Sequence, residues 1–151
     1  MSKVKSQINP EKIHISQINV VQSNITTGRD FLDAPKKWNN ISIGIGKDLA
    51  FQEEKNACRL RLFFKCTAMN DETELDLSAE IGIEFHFMIE NFIDFLKKND
   101  DHNQVNSELL ITLISIGIST SRGIILEHTK NTYFRGIILP VIDPASVLWD
   151  E

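Results

Sequence analysis

Residues 75–89 read LDLSAEIGIEFHFMI, and every second position in this stretch carries an apolar side chain. Polar residues occupy most of the positions between them, including Asp76, Glu80 and Glu84. A period of two is typical of a β-strand with one buried face and one solvated face. The stretch is far longer than the usual strand of about five to six residues. Its buried face therefore needs a large cover, either a helix of the same chain or a second subunit.

Shorter alternating patterns come before this strand. Residues 13–20 alternate with a phase shift near Ser16, which predicts a strand with a bulge. Residues 41–45 and 58–68 predict a second and a third strand. Asn70-Asp71 is a turn signal, so the third and fourth strands should form a hairpin. The outer face of the third strand is basic and that of the fourth is acidic, which predicts opposite charges paired across the hairpin.

A long helix is the best interpretation of residues 108–129. Alternating isoleucines leave a strand open as an alternative, but no turn signal interrupts this stretch, and its length favours a helix. Apolar residues cover much of the helix circumference, so it should be buried on more than one side. Gly117 and Ser121, one turn apart, would let another backbone approach closely.

Short accessory helices complete the predicted fold. In residues 90–98, Phe92 and Phe95 fall on one side of a short helix, with lysines at its C-terminal end. Asp143-Pro144 reads as an N-cap followed by proline at the first position of a terminal helix. We expect an α+β domain with a four-stranded antiparallel sheet packed by one long helix. Residues 1–151 should form this single domain, with residues 1–10 flexible.

Composition excludes several classes of function. The net charge of −5 repels phosphate backbones, which argues against a nucleic-acid partner. We expect no segment that inserts into a membrane, because polar residues interrupt the apolar runs, and no signal peptide at residues 1–10. Cys58 and Cys66 are eight positions apart on one predicted strand, too far to bridge each other. Two buried, reduced thiols suit the cytoplasm.

Motifs for catalysis or metal binding are weak. The four histidines are scattered without ligand spacing, so we predict no metal site and no cofactor. Residues 117–121 begin like a nucleophile elbow but end in serine and lie inside a predicted helix. Asp76, Glu80 and Glu84 recur every four residues of a strand, about 13 Å apart, which is too far for an acid–base pair. A solvated sheet face and an acidic docking surface are both open interpretations. The sequence predicts a protein that is not an enzyme.

The order of predicted elements resembles the SecB family of protein-export chaperones over residues 13–148. Residues 31–38, with FLDAP leading to Trp38, are similar to the family's crossover loop. Residues 81–85 are similar to its glycine and aromatic region at the end of the fourth strand. Arg122 followed by residues 138–141 resembles its helix with an arginine and the proline-containing segment after it. The resemblance rests on the common order and spacing of these three segments.

The resemblance implies an ATP-independent holdase that binds unfolded polypeptides in a groove. Aromatic and aliphatic side chains suit such binding because their burial demands no particular sequence. The groove residues it implies are Phe31, Leu32, Trp38, Ile137, Leu139 and Val141, although Trp38 alternatively serves as a core anchor. The acidic face, with Asp76, Glu80 and Glu84, would dock a SecA-type motor or another partner. A homotetramer, as a dimer of dimers, would form through Leu110, Leu113, Ile114, Gly117 and Ser121.

Two other functions are open at this point. A SecB-like adaptor would be dedicated to one partner, for example an antitoxin, and composition cannot separate it from a general chaperone. A thioesterase of the hotdog type also wraps a sheet around a long helix. In that fold the main helix comes before most of the strands, whereas here it follows all four predicted strands.

Overall fold

The computed structural model describes residues 7–98 and 103–149, and within them it is an α+β fold, as predicted. The strands are β1 (Ile13–Thr27), β2 (Asn40–Gln52), β3 (Ala57–Asn70), β4 (Thr73–Ile89), β5 (Leu96–Lys98) and β6 (Asn103–Val105). The helices are α1 (Arg29–Asp33), α2 (Ser107–Thr129) and α3 (Pro144–Trp149). The predicted flexibility of residues 1–10 falls largely on residues 1–6, which lie outside the described residues.

The four long strands form one antiparallel sheet in the order β1-β4-β3-β2. The predicted β3–β4 hairpin is confirmed, and Asp71 takes a left-handed conformation in its turn (φ 54°). The predicted bulge in β1 is also confirmed, as a register shift between Ile15 and Gln17. Because β1 and β2 lie at opposite edges, the residues between them must cross the ends of β4 and β3. We call residues 28–39 the crossover segment.

Helix α2 covers the apolar face of the sheet. A Cβ atom at Gly117 would lie 2.9 Å from Leu60 Cδ2 and 3.0 Å from Leu62 Cδ1, so the helix rests directly on β3. The close approach predicted at Gly117 is therefore made to the protein's own sheet and not to a second subunit. The interface assignments of Leu113, Ile114, Gly117 and Ser121 are corrected accordingly, whereas that of Leu110 stays a prediction. Leu113, Ile114, Gly117 and Ser121 are buried within the fold, and Leu110 is half-buried.

The other face of the sheet is less exposed at its centre than the alternation predicts. Glu84 is buried there, because Arg61 donates from Nε to its Oε2 at 2.6 Å and His86 Nε2 lies 2.6 Å from its Oε1. Asn19 Nδ2 lies 3.5 Å from the same Oε1. The hydrogen bonds from Arg61 and then His86 lower the pKa of Glu84 to about 2. The predicted pairing of opposite charges is confirmed at Arg61 and Glu84, whereas the expected exposure of Glu84 is wrong.

This carboxylate should make the protein sensitive to acid. The pKa of Glu84 is lowered from 4.5 in the unfolded state to about 2 in the fold, so the unfolded state binds the proton first. The contribution to stability is complete above pH 4.5 and is lost as the pH falls from there to about 2. Glu84→Gln should flatten the pH dependence of the free energy of unfolding in that range, measured by urea denaturation. An equally steep loss in the variant would contradict the assignment.

Two local expectations are corrected. Residues 90–98 do not form a short α-helix: Phe92–Phe95 is a single 3₁₀ turn, and the two lysines that follow it lie in β5. Helix α2 is long and apolar enough to cross a membrane by length and composition, contrary to our expectation that no segment is. It is also the core helix of this fold, with Leu109, Ile118 and Ile125 among its buried residues. The absence of membrane insertion stays a prediction.

The remaining predictions of local structure hold. Ala145 N donates to Asp143 Oδ1 at 3.0 Å, which confirms the predicted start of α3. Cys58 and Cys66 are buried free thiols, and burial raises their pKa values to about 12 and about 11. Neither thiol is therefore ionised near neutral pH.

Candidate functional site: a cleft of aromatic residues

The crossover segment is anchored at both ends to the β3–β4 hairpin. At its start, Gly28 N donates to Asp76 O at 2.8 Å, and a Cβ atom at residue 28 would overlap the Asp76 carboxylate. Near its end, Asn70 Nδ2 donates to Lys37 O at 2.7 Å. These contacts hold α1 and the residues after it against the end of the sheet.

The turn after α2, residues 130–136, is organised by a buried threonine. Thr129 Oγ1 accepts a hydrogen bond from Ile137 N at 2.7 Å, and Thr129 O accepts one from Gly136 N at 3.1 Å. Two consecutive residues in this turn take left-handed conformations, Arg135 (φ 56°) and Gly136 (φ 98°). Glycine adopts such a conformation without penalty, but arginine does so at a cost. The reversal brings the residues of the turn to the crossover segment.

The two segments meet in a cleft of about 340 Å³. The rings of Phe31 and Tyr133 meet edge to face, with centroids 5.4 Å apart. Trp38 Nε1 donates to Tyr133 O at 3.1 Å, which fixes the indole against the turn. We call this site the aromatic cleft. It is lined by Phe31, Pro35, Lys36, Lys37, Trp38, Tyr133 and Arg135.

The residues predicted on the crossover segment reach this cleft to different extents. Phe31 is buried (6% exposed) and forms part of the wall instead of standing free in the loop. Leu32, beside it on α1, is half-exposed and lies outside the lining residues. Trp38 is half-buried, and its ring centroid lies 6.4 Å from that of the fully buried Phe134. Trp38 therefore serves both as a core anchor and as a wall of the cleft.

The segment after the turn runs in an extended conformation with the opposite orientation to the one expected. Ile137 and Leu139 are buried in the core, whereas Ile138 and Val141 are 72% and 96% exposed. Arg122 fixes this orientation from α2, because its Nε donates to Leu139 O at 3.2 Å. The prediction that Ile137 and Leu139 line an open groove is corrected, because both side chains pack in the hydrophobic core. Val141 is exposed, as a binding residue would need to be.

The three carboxylates predicted to dock a partner do not form one open acidic surface. Glu84 is enclosed by its neighbours, as described above. Glu80 is half-buried, lies across from Lys65 and accepts a hydrogen bond from Gln22 Nε2 at 3.2 Å. Asp76 is exposed and lines a second cleft beside α1, the acidic cleft, whose lining residues are Asp30, Phe31, Ala34, Lys36, Thr73, Glu74, Leu75 and Asp76. A docking role for these residues stays a prediction.

Sequence reasoning missed the charged residues and the tyrosine of the aromatic cleft. Tyr133 is the only tyrosine of the protein and is 47% exposed. Lys36, Lys37 and Arg135 are exposed, and none of them forms a salt bridge with another residue in the described ranges. The only sequence signal was Gly136, since glycine is the residue that most readily takes the left-handed conformation of a tight turn.

Within residues 7–98 and 103–149, no three His, Cys, Asp or Glu residues come together as a metal site. No protein-family model matches the sequence, and no curated protein sequence matches it.

A solved structure resembles this fold. The SecB-like chaperone Rv1957 of Mycobacterium tuberculosis, solved in complex with a ChAD peptide from the HigA1 antitoxin, superposes with a TM-score of 0.63. The two proteins are 11% identical, and the match covers 87% of this chain and 91% of that one. A protein of unknown function from Streptococcus agalactiae is 14% identical, with a TM-score of 0.37 over 85% of this chain and 97% of that one. The fold of this protein is thus SecB-like.

Proposed function

We propose that this protein is an ATP-independent chaperone of the cytoplasm that holds unfolded polypeptides in the aromatic cleft. The observation that carries the proposal is the cleft itself, in which rings from two distant segments face solvent. Such a surface binds by burying apolar area, at about 25 cal/mol per Å² removed from water, and requires no catalytic group. The solved structure of Rv1957 contains a bound peptide on a SecB-like fold, which supports a polypeptide as the ligand.

Self-association as a dimer of dimers belongs to this proposal. Strand β1 lies at an edge of the sheet, and Ile15, Ile18 and Val20 remain 40–43% exposed along it. A long edge strand with apolar side chains is a template for pairing with another strand. The outer face of α2 carries no charged residue between Glu108 and Arg122, which is unusual for a solvated helix surface. These two surfaces replace the buried residues of α2 as the interface we propose.

The first experiment is the native mass of the purified protein, alone and with a reduced, permanently unfolded polypeptide, in the absence of nucleotide. We expect a tetramer that forms a stable complex. Pro35→Ser combined with Tyr133→Ser changes two exposed residues that line the cleft and should weaken that complex at least about tenfold, since burial of a single large apolar side chain contributes about 1.5–3 kcal/mol. Phe31 is left intact because it is buried and its loss would disturb the fold.

The matched control is Met88→Ser combined with Ile93→Ser. Both residues are exposed, and they lie at or just beyond the end of β4 that is remote from the cleft. This variant loses a similar apolar surface and should bind the client as the wild type does. Equal weakening in both variants would remove the aromatic cleft as the binding site, and a protein that binds no unfolded polypeptide would overturn the proposed function.

The alternative is an adaptor that holds one dedicated partner, and the antitoxin peptide bound to Rv1957 favours it. A panel of unfolded polypeptides distinguishes the two functions. A general holdase binds most of them with similar affinity, whereas an adaptor binds one and ignores the rest. Neither function depends on a SecA-type motor, whose engagement through the acidic residues of β4 would be a further step. The thioesterase alternative is disfavoured because α2 follows all four long strands.

A further inference from the structure

The aromatic cleft has an electrostatic character that differs from the protein as a whole. The protein carries a net charge of −5, yet the charged residues that line this cleft are Lys36, Lys37 and Arg135. All three cations are exposed and form no salt bridge with any residue in the part of the sequence that the structure describes. A segment bound in the cleft therefore lies against cations and against no carboxylate of the lining residues.

The position of Arg135 adds to this argument. Its left-handed backbone conformation costs free energy that a glycine or asparagine would not cost. That conformation places an arginine among the residues that line the cleft, together with its aromatic rings. Residues kept in costly conformations tend to cluster at binding sites.

The neighbouring acidic cleft shows that the cations are not spread evenly around the site. It shares Phe31 and Lys36 with the aromatic cleft, but its other charged residues are Asp30, Glu74 and Asp76. The charge changes sign across Phe31. The charged residues that a client contacts in the aromatic cleft are therefore cations, and the carboxylates line the other cleft.

We propose that the aromatic cleft selects polypeptide segments in which an aromatic or large aliphatic residue lies next to a carboxylate. The apolar residue packs against Trp38 and Tyr133, and the carboxylate pairs with Lys37 and Arg135. This inference rests on the proposed function and names the class of client that the same site prefers. The free carboxyl terminus of a polypeptide is also a carboxylate, so the test below separates it from the side chain of Asp or Glu.

Peptides with one common apolar centre and different flanks test this selectivity. Four labelled peptides carry the same Trp-Leu centre: three are capped at both ends with Glu, Gln or Lys flanks, and the fourth has Gln flanks and a free carboxyl terminus. By fluorescence anisotropy at low salt, the Glu peptide should bind about 3- to 10-fold more tightly than the Gln peptide, and the Lys peptide most weakly. The difference should shrink as sodium chloride is added.

Lys37→Gln combined with Arg135→Gln should bring the ratio of the affinities for the Glu peptide and the Gln peptide to about one. A merely structural role of these residues would weaken all peptides together. Lys36 is kept because it also lines the acidic cleft. The control is Lys97→Gln with Lys98→Gln, two exposed lysines of β5, which removes the same charge and should keep the preference.

Each outcome has a distinct meaning. Binding of no peptide overturns the proposed function. Equal binding of the three capped peptides, or tighter binding of the Lys peptide, overturns the selectivity and leaves the proposed function standing. Tighter binding of the free carboxyl terminus, with the three capped peptides equal, likewise overturns the selectivity for acidic side chains and leaves the proposed function standing.

Discussion

Replacing Phe134 with alanine should lower the free energy of unfolding by about 3–5 kcal/mol, the usual cost of removing a fully buried aromatic ring. Phe134 is 0% exposed and packs beside Trp38 under the aromatic cleft. The cavity left behind lies beside Trp38, a wall of the cleft, so client affinity should fall together with stability. Urea denaturation followed by Trp fluorescence and circular dichroism measures the first effect, and peptide anisotropy the second.

Tyr133→Ala is the matched control for this prediction, since it removes an aromatic ring one position away. Tyr133 is half-exposed, so its loss should cost much less stability than the loss of Phe134. Client binding should nevertheless fall, because this ring lines the cleft. If Tyr133→Ala destabilised the protein as much as Phe134→Ala, our assignment of one ring to the core and the other to the site would be wrong.

Gly117→Val should destabilise the fold by about 1–3 kcal/mol through overpacking. The added carbons would be forced against Leu60 and Leu62, both 0% exposed and without space to withdraw. Valine is a slightly better helix former than glycine, but that gain of a few tenths of a kcal/mol is too small to offset the collision. Thermal and urea denaturation measure the net effect.

Gly123→Ala, on the same helix, should do the opposite. No atom lies within 4 Å of a Cβ placed at Gly123, so only the gain in helix propensity remains, and stability should rise by up to about 1 kcal/mol. An equal loss of stability in the two variants would mean that α2 does not rest on the sheet in the way described.

The sheet and the long helix could be predicted because the signal for each element lies in residues that are close together in the sequence. The alternation of β4 and the turn at Asn70-Asp71 needed no knowledge of distant residues. Three-residue strands carry no such signal, and so β5 was mistaken for part of a short helix. The same limit applies to the question of membrane insertion. Helix α2 is long and apolar because it packs in the core, and its sequence alone does not distinguish a core helix from a membrane-spanning one.

The candidate site was predicted only in part, since burial depends on residues far away in the sequence. Glu84 belongs to an outward-facing series, but Arg61 on the adjacent strand covers it. Residues 137–141 are an unbroken apolar run, so the sequence did not show which of their side chains are buried; the hydrogen bond from Arg122 to Leu139 O helps to set this. Tyr133 and Arg135 escaped notice because the turn that carries them lies against a segment almost a hundred positions earlier.

The hydrogen bond from the Trp38 indole to the carbonyl of Tyr133 joins two residues 95 positions apart. During synthesis from the N-terminus, the crossover segment leaves the ribosome long before its counterpart has been made. The aromatic cleft therefore does not exist in a growing polypeptide until the turn after α2 has emerged. By then β1 to β4 have already been made and can pair with one another. If the cleft holds unfolded polypeptides, as we propose, this order of synthesis keeps the protein from capturing its own strands while it is still folding.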